Sequence, residues 1–157
     1  MKILVLSDSH GTMQSMCDAV EKEHPDYVIH LGDHDRDAEE LSNYYPRLPV
    51  AWVRGNCDFR SDASQTQQAV YGAKKIFACH GHTLGVKGGM LRAVYAAKEA
   101  GADILLYGHT HIPYCDTYDG LTILNPGACG SQNALGRPTY GVIELTGNDI
   151  KAKYEFI

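Results

Sequence analysis

ILLYGHTH, Ile104 to His111, is the stretch on which the reading of this chain turns. Four large apolar residues in succession, too short a run for a helix, read as a buried strand. Gly108 then breaks the run, and two histidines follow with a single residue between them. Histidines so placed at the exit of a buried strand are rarely just core residues, and neutral imidazole is a common metal ligand.

Four other apolar runs stop in the same way. Lys2–Ser7 runs into Asp8 and His10, Tyr27–Leu31 into Gly32-Asp33, Val50–Arg54 into Gly55-Asn56, and Lys75–Cys79 into His80. Taken singly, three of these endings have an ordinary explanation: Asp8 as a helix cap, Gly32-Asp33 and Gly55-Asn56 as turn dipeptides. Taken together they matter, because open parallel sheets bind ligands just past the carboxyl ends of their strands. Two Asp, one Asn and four His delivered there are enough for a pair of divalent cations and point to metal-assisted hydrolysis. The steps between Asp8, Asp33, Asn56, His80 and His109 are 25, 23, 24 and 29 residues. Each has room for a strand, a crossover and the next strand.

Between these runs, Met13, Met16, Cys17 and Val20 predict a helix over Thr12–Glu23, ending near His24 because Pro25 follows. A second helix is expected over Asp35–Tyr45, with acidic residues in its early turns. Gln65–Tyr71 and Lys75–Cys79 read as a hairpin around Gly72. A third helix is expected over Gly88–Ala100, burying Met90, Leu91, Val94, Tyr95 and Ala97 and stopped by Gly101. After His111 the character changes. Tyr114–Tyr118 and Leu121–Asn125 flank Asp119-Gly120, and Tyr140–Leu145 and Ile150–Phe156 flank Gly147-Asn148, both hairpin signals. A βα-rich first part and an antiparallel last part predict one α/β domain over 1–157, with two packed sheets and helices outside.

The 157 residues carry a formal net charge of -5. A mildly acidic chain lacks the basic footprint of a binder of long DNA or RNA. Phosphate-bearing small molecules stay open, since bound cations can dominate the local field. Five cysteines, odd in number and without a CxxC pair, favour reduced thiols over a disulfide framework. The opening Ile3–Leu6 run is cut short by Asp8, so it is no secretory signal, and no run approaches a membrane span. The expectation is a cytoplasmic protein. Ten tyrosines are compatible with a homo-oligomer interface or with the space between the sheets.

The ordered set Asp8-x-His10, Gly32-Asp33, Gly55-Asn56-Cys57-Asp58, His80-Gly81-His82 and Gly108-His109-x-His111 resembles the calcineurin-like metallophosphoesterases. It is most similar to their small YfcE-type phosphodiesterase branch, to which Val53–Asp58 and Asn125-Pro126-Gly127 also look typical. The resemblance implies a sandwich of two mixed β-sheets flanked by helices. It implies one cation on Asp8, His10, Asp33 and His111 and another on Asp33, Asn56, His80 and His109, with Asp33 bridging. Manganese is the first expectation for the metal, and Fe, Zn, Co and Ni suit the same oxygen and nitrogen donors. The implied reaction is hydrolysis of small phosphodiesters, more than monoesters, by a metal-bridging hydroxide attacking phosphorus. Two divalent cations against two carboxylates and a hydroxide leave roughly one positive unit, which suits an anionic ester.

One departure stands out. Many relatives place a histidine directly after the metal-binding Asn, where it protonates the leaving oxygen; here Cys57 stands there. A thiol is a poor acid for an alkoxide, and Cys57 reads as a small packed residue. His82 becomes the candidate catalytic acid, with a turn histidine as its plain alternative, and esters with good leaving groups are the expected substrates. His34 reads as a helix start, His30 and His24 as structural or exposed, and Cys79 as core. Arg54 reads as a partner for a carboxylate, with a substrate phosphate as its other option. Gly127 and Gly130 read as turn residues near the site. A rival function exists on the same fold: the retromer scaffold subunit works through protein contacts with a degraded metal site. All seven ligand positions here carry competent residues, which favours an enzyme. A phosphomonoesterase or nucleotide hydrolase is the remaining alternative.

Overall fold

A computed structural model describes residues 1–130 and 135–157. Its strands are β1 (Lys2–Leu6), β2 (Tyr27–His30), β3 (Val50–Trp52), β4 (Thr66–Tyr71), β5 (Lys74–Cys79), β6 (Ile104–Tyr107), β7 (Tyr114–Tyr118), β8 (Leu121–Asn125), β9 (Thr139–Thr146) and β10 (Asp149–Phe156). The helices are α1 (Met13–Glu23), α2 (Asp35–Tyr44) and α3 (Leu91–Glu99). Two 3-10 turns, His82–Leu84 and Val86–Gly88, lie between β5 and α3.

The strands form two mixed five-stranded sheets, in the orders β10-β9-β1-β2-β3 and β4-β5-β6-β8-β7. In the first, β1, β2 and β3 run parallel and β9 returns antiparallel to β1. In the second, β5, β6 and β8 run parallel. The last part of the chain is therefore not a separate antiparallel unit. Its hairpins open outward from both sheets, because β8 pairs parallel with β6 and β9 completes the sheet that β1 begins.

Side chains alternate across a strand, and the core follows that period of two. Ile3, Val5, Ile29, Leu31, Ile76, Ala78, Ile104 and Leu106 point into the space between the sheets. Their neighbours Leu4, Leu6 and Val28 point the other way, onto Met16, Ala19 and Val20 of α1 and Leu41 of α2. Phe77, Cys79, Leu105 and Tyr107 pack on Ala93, Val94 and Ala97 of α3. The layers are thus helix, sheet, sheet, helix.

Several local expectations meet their physical cause here. His24 ends α1 in the left-handed region, one residue before Pro25. Gly101 closes α3 in a Schellman arrangement, Gly101 N–H to the Lys98 carbonyl and Ala102 N–H to that of Ala97. The third helix differs from expectation at its start and on its buried face. Gly89, at φ 142°, cannot continue a helix, so α3 begins at Leu91. It buries Ala93, Val94 and Ala97, while Leu91 and Tyr95 face solvent. Small residues let the helix sit close on the sheet, and the larger side chains at helical spacing are left outside.

Candidate metal centre

The parallel strands of both sheets send their carboxyl ends to one edge, and each end delivers a polar residue. Asp8 follows β1, Asp33 follows β2, Asn56 follows β3, His80 follows β5, and His109 and His111 follow β6. The chain leaves several of these strands in a costly conformation. Among the described residues, eight other than glycine have positive φ, and six of them are here: Asp8, His10, Asp33, His34, His109 and His111. The left-handed region is unfavourable for residues with a Cβ, and such strain concentrates at functional sites.

Two groups of donor atoms result. Asp8, His10, Asp33 and His111 bring one donor each to within 4.8 Å of one another, and so do Asp33, His80 and His109. Asp33 belongs to both. Asn56 joins the second group, with its Oδ1 at 3.1 Å from His80 Nε2. His80 Nε2 also lies 3.2 Å from His109 Nδ1 and 3.5 Å from Asp33 Oδ1. The structure therefore brings together all seven residues marked from sequence.

Aspartates 8 and 33 are buried, as is His80. Burial pushes the Asp8 carboxyl up, but His111, His80 and the Ser7 hydroxyl outweigh it and hold it below the ordinary value. For Asp33, burial is likewise outweighed, by His80 and by the Cys57 amide, and its carboxyl sits well below the usual range. Burial works against protonating His80, yet Asp33 and Asp8 raise its pKa. His109 is neutral at pH 7: burial, His80 and Lys87 lower its pKa to about 4. The two carboxylates thus favour positive charge at the middle of the cluster.

The donors fit a metal on the chemistry of the set. His80 donates Nδ1–H to the Leu31 carbonyl at 2.8 Å, which fixes the ring and turns Nε2 toward the cluster. Histidines that bind metals are oriented by such a bond on the other nitrogen. Among the described residues, His10 Nε2 is buried without a hydrogen-bond partner, and Asp8 Oδ1 faces His111 Nε2 at 3.0 Å. Buried polar atoms are rarely left so unless something else satisfies them. Oxygen and imidazole donors without thiolate suit a divalent transition ion.

The surrounding braces were not legible as such in the sequence. The Asp58 carboxylate accepts four backbone amides, from Asp33, His34, Asp35 and Gly55, at 2.7 to 3.0 Å. It ties the loop after β2 to the loop after β3. Asp37 Oδ2 accepts from the Ser9 hydroxyl at 2.5 Å and the Gly11 amide at 2.8 Å, holding the loop after β1. Asn125 donates to the Gly108 carbonyl and Thr110 Oγ1 and accepts from the Gly127 amide, holding the loop after β6. The only sequence signal was that Asp58 and Asn125 lie inside the quoted motifs. The site glycines provide clearance. A Cβ on Gly108 would lie 2.1 Å from Ser7 Oγ, and one on Gly55 would lie 2.1 Å from Asp33 Oδ1. A Cβ on Gly130 would meet the Ser9 carbonyl at 2.5 Å.

The remaining candidates fall into place individually. His82 opens the first 3-10 turn, its ring 5.3 Å from that of His80 and 6.1 Å from that of His109. Its Nδ1 is buried without a partner among the described residues, and burial followed by His80 lowers its pKa. Cys57 is not a packed residue: it is exposed at the rim of the site, its amide donating to Asp33 Oδ1 at 2.8 Å and its thiol accepting from Asn56 Nδ2 at 3.4 Å. Burial and Asp33 push its thiol up to about 11. Among the described residues Arg54 pairs with no carboxylate; it donates to the Ser61 carbonyl, bracing the 55–64 loop. His34 is exposed at the start of α2, its ring edge-on to His10. His30 is structural, accepting from the Gly32 amide at Nδ1 and paired with Ser9 Oγ through Nε2.

Known proteins share the fold and are similar to this chain in sequence. Residues 1–148 match the calcineurin-like phosphoesterase superfamily domain. The chain belongs to that family. It is 35% identical over 149 residues to a probable metallophosphoesterase, YsnB, of Bacillus subtilis, covering 92% of this chain and 85% of that one. It is 26% identical over 174 residues to the phosphodiesterase YfcE of Escherichia coli K12, covering 96% and 89%. The crystal structure of a predicted phosphoesterase of Streptococcus pneumoniae TIGR4 superposes with a TM-score of 0.84 at 27% identity, covering 99% of this chain and 88% of that one.

Proposed function

We propose that this protein is a dinuclear metal-dependent phosphodiesterase acting on small substrates. The observation that carries the reading is the pair of donor groups that share Asp33. Asp8, His10, Asp33 and His111 hold one divalent cation, and Asp33, Asn56, His80 and His109 hold the other, with manganese the first choice. When bound, the two ions supply Lewis acidity toward the phosphate and activation of water. The chain's own residues set the geometry. Asp33 spaces the two groups, the Leu31 carbonyl aims His80, and Asp58 keeps the two acidic loops from drifting apart. Two carboxylates among neutral donors keep the site's charge modest, which suits a singly charged diester better than a dianionic monoester. His82 hands the proton to the leaving oxygen. Burial and His80 lower its pKa, which makes its proton easier to give up, and aryl esters, which need less help, depend on it less. All five cysteines are unpaired, in keeping with a reducing compartment, and no helix among the described residues is long and apolar enough to cross a membrane.

The test is metal analysis and turnover of an aryl phosphodiester by wild type, Asp33→Ala and Asp149→Ala. Asp33→Ala is expected to lose both ions and about three orders of magnitude in rate. Asp149→Ala, on the exposed far hairpin, is expected to behave as wild type. Retained metal and turnover in Asp33→Ala would defeat the shared-ligand assignment. An equal loss on aryl and alkyl diesters in His82→Ala would remove the acid role from His82.

A further inference from the structure

An open cavity of about 1030 Å³ runs beside the metal centre, at the upper end of the volumes that take small organic ligands. Cys57 and His34 form its inner rim. The Cys57 amide touches Asp33, and the His34 ring lies 5.1 Å from that of His10, so the cavity starts where the donor groups end. From there it passes between α2 and the 57–63 loop to Trp52, on edge strand β3.

The loop is firmly held, yet its tip is not packed. Asp58 anchors it through four backbone amides, the Ser61 hydroxyl bonds Asp35 on α2, and Arg54 donates to the Ser61 carbonyl. Between these anchors Phe59 is 89% exposed, more than any other large apolar residue among those described. A lone exposed phenylalanine needs no explanation. One fixed by a braced loop at the mouth of a cavity that a tryptophan also lines is a different matter, since aromatic faces are what planar rings stack on.

The charge of the walls narrows the occupant. Four carboxylates, of Asp35, Glu39, Asp58 and Asp62, face two guanidiniums, of Arg36 and Arg60. Asp58 and Asp35 are engaged, which leaves Glu39 and Asp62 as exposed acceptors. An excess of carboxylate repels a polyphosphate tail and accepts from ring and exocyclic N–H groups.

We infer that this cavity seats a planar aromatic group carried by the phosphoester, a nucleobase above all, stacked on Phe59 beside Trp52. The inference rests on the phosphoesterase reading and adds the class of substrate to it. Trp52 is the only tryptophan in the chain, so its fluorescence reports on the cavity alone. The test uses three phosphonates that cannot be hydrolysed, with the manganese-loaded protein: methylphosphonate, phenylphosphonate and the methylenephosphonate analogue of adenosine 5′-monophosphate. Calorimetry gives the three affinities. The two aromatic ligands are expected to change Trp52 emission saturably and methylphosphonate to leave it unchanged. Phe59→Ala should weaken both aromatic ligands about tenfold, in line with the usual worth of a base stacked on a ring. It should leave methylphosphonate affinity as it is, and Phe59→Tyr should restore the aromatic ligands. Tighter binding of the adenosine analogue than of phenylphosphonate assigns the seat to a nucleobase, and equal binding assigns it to aromatic rings in general. If methylphosphonate binds and Phe59→Ala affects all three ligands alike or none, the aromatic seat is overturned while the phosphoesterase stands. If none of the three binds and no diester is hydrolysed, the phosphoesterase reading falls first.

Discussion

The two ends of the sheets use the left-handed region of the backbone for different purposes. At the far end lie the three hairpin turns, and their positive φ values fall on Gly72, on Asp119 and Gly120, and on Gly147. A Cβ added at Gly72, Gly120 or Gly147 would meet nothing within 4 Å. Those glycines serve the turn and nothing else. At the site end the same φ values fall on Asp8, His10, Asp33, His34, His109 and His111, while Gly55, Gly108 and Gly130 sit where a Cβ would strike a neighbour. The far end turns mostly on glycine, Asp119 being the exception. The site end also turns on glycine, at Gly11, Gly32, Gly81 and Gly127, but in addition accepts strain on residues that can bind something and uses Gly55, Gly108 and Gly130 to make room. The difference teaches that a costly conformation on a residue able to bind something carries more functional information than the turn itself.

Four changes would break or sharpen that contrast. The largest effect belongs to Asp58→Ala, which leaves four loop amides without their acceptor. It should destabilise the protein by about 4 kcal/mol in urea titrations and lower metal affinity by about 10–100-fold. Wild-type stability in this variant would mean that the loops are braced by something other than Asp58.

His30 comes next, through pH. It is fully buried, and burial lowers its pKa from 6.5 to about 4. The unfolded chain therefore binds the proton more readily, so this contribution is whole above pH 6.5 and is lost as pH falls toward 4. For the metal-free protein the loss should reach about 3 kcal/mol. His30→Gln should flatten the denaturation midpoint over that window relative to wild type. An unchanged slope would show that His30 is not the group that titrates. The far hairpins contain no comparable buried histidine, so their variants should keep the wild-type pH profile.

Gly108→Ala follows, at about 2 kcal/mol. Its methyl would push the Ser7 hydroxyl off Asp8 Oδ2. Ser7→Ala combined with Gly108→Ala should recover part of that stability but not the metal affinity, because the bond to Asp8 is gone in both. The smallest effect is expected for Gly147→Ala, about 1 kcal/mol from the positive φ alone, with turnover unchanged. A loss of turnover there would mean that the two ends of the sheets are coupled.

The strands and the donors were legible because both are carried by contiguous sequence: an apolar run, then a ligand. The braces were not, because a carboxylate such as Asp58 takes its meaning from amides some 25 residues away. Nothing local distinguishes it from an ordinary turn aspartate. The face of α3 failed for a different reason. Val94 and Ala97 are buried as expected, whereas Leu91 and Tyr95 have the right spacing and the larger hydrophobic surface, but contact distance to the sheet selected Ala93 instead. Cys57 failed likewise, since exposure at a loop rim depends on where the loop is held. The parallel pairing of β8 with β6 was hidden because a hairpin signal fixes only a strand's partner within the hairpin.

The donors come from both sheets, Asp8, Asp33 and Asn56 from one and His80, His109 and His111 from the other, and the imidazole of His80 reaches across to the Leu31 carbonyl. The cluster consequently works as an alignment gauge for the sandwich. A substitution deep between the sheets that lets one slide on the other by an ångström or so would put the donors out of reach while the layers still hold together. Catalytic failure would then be the earliest sign of a packing fault far from any ligand.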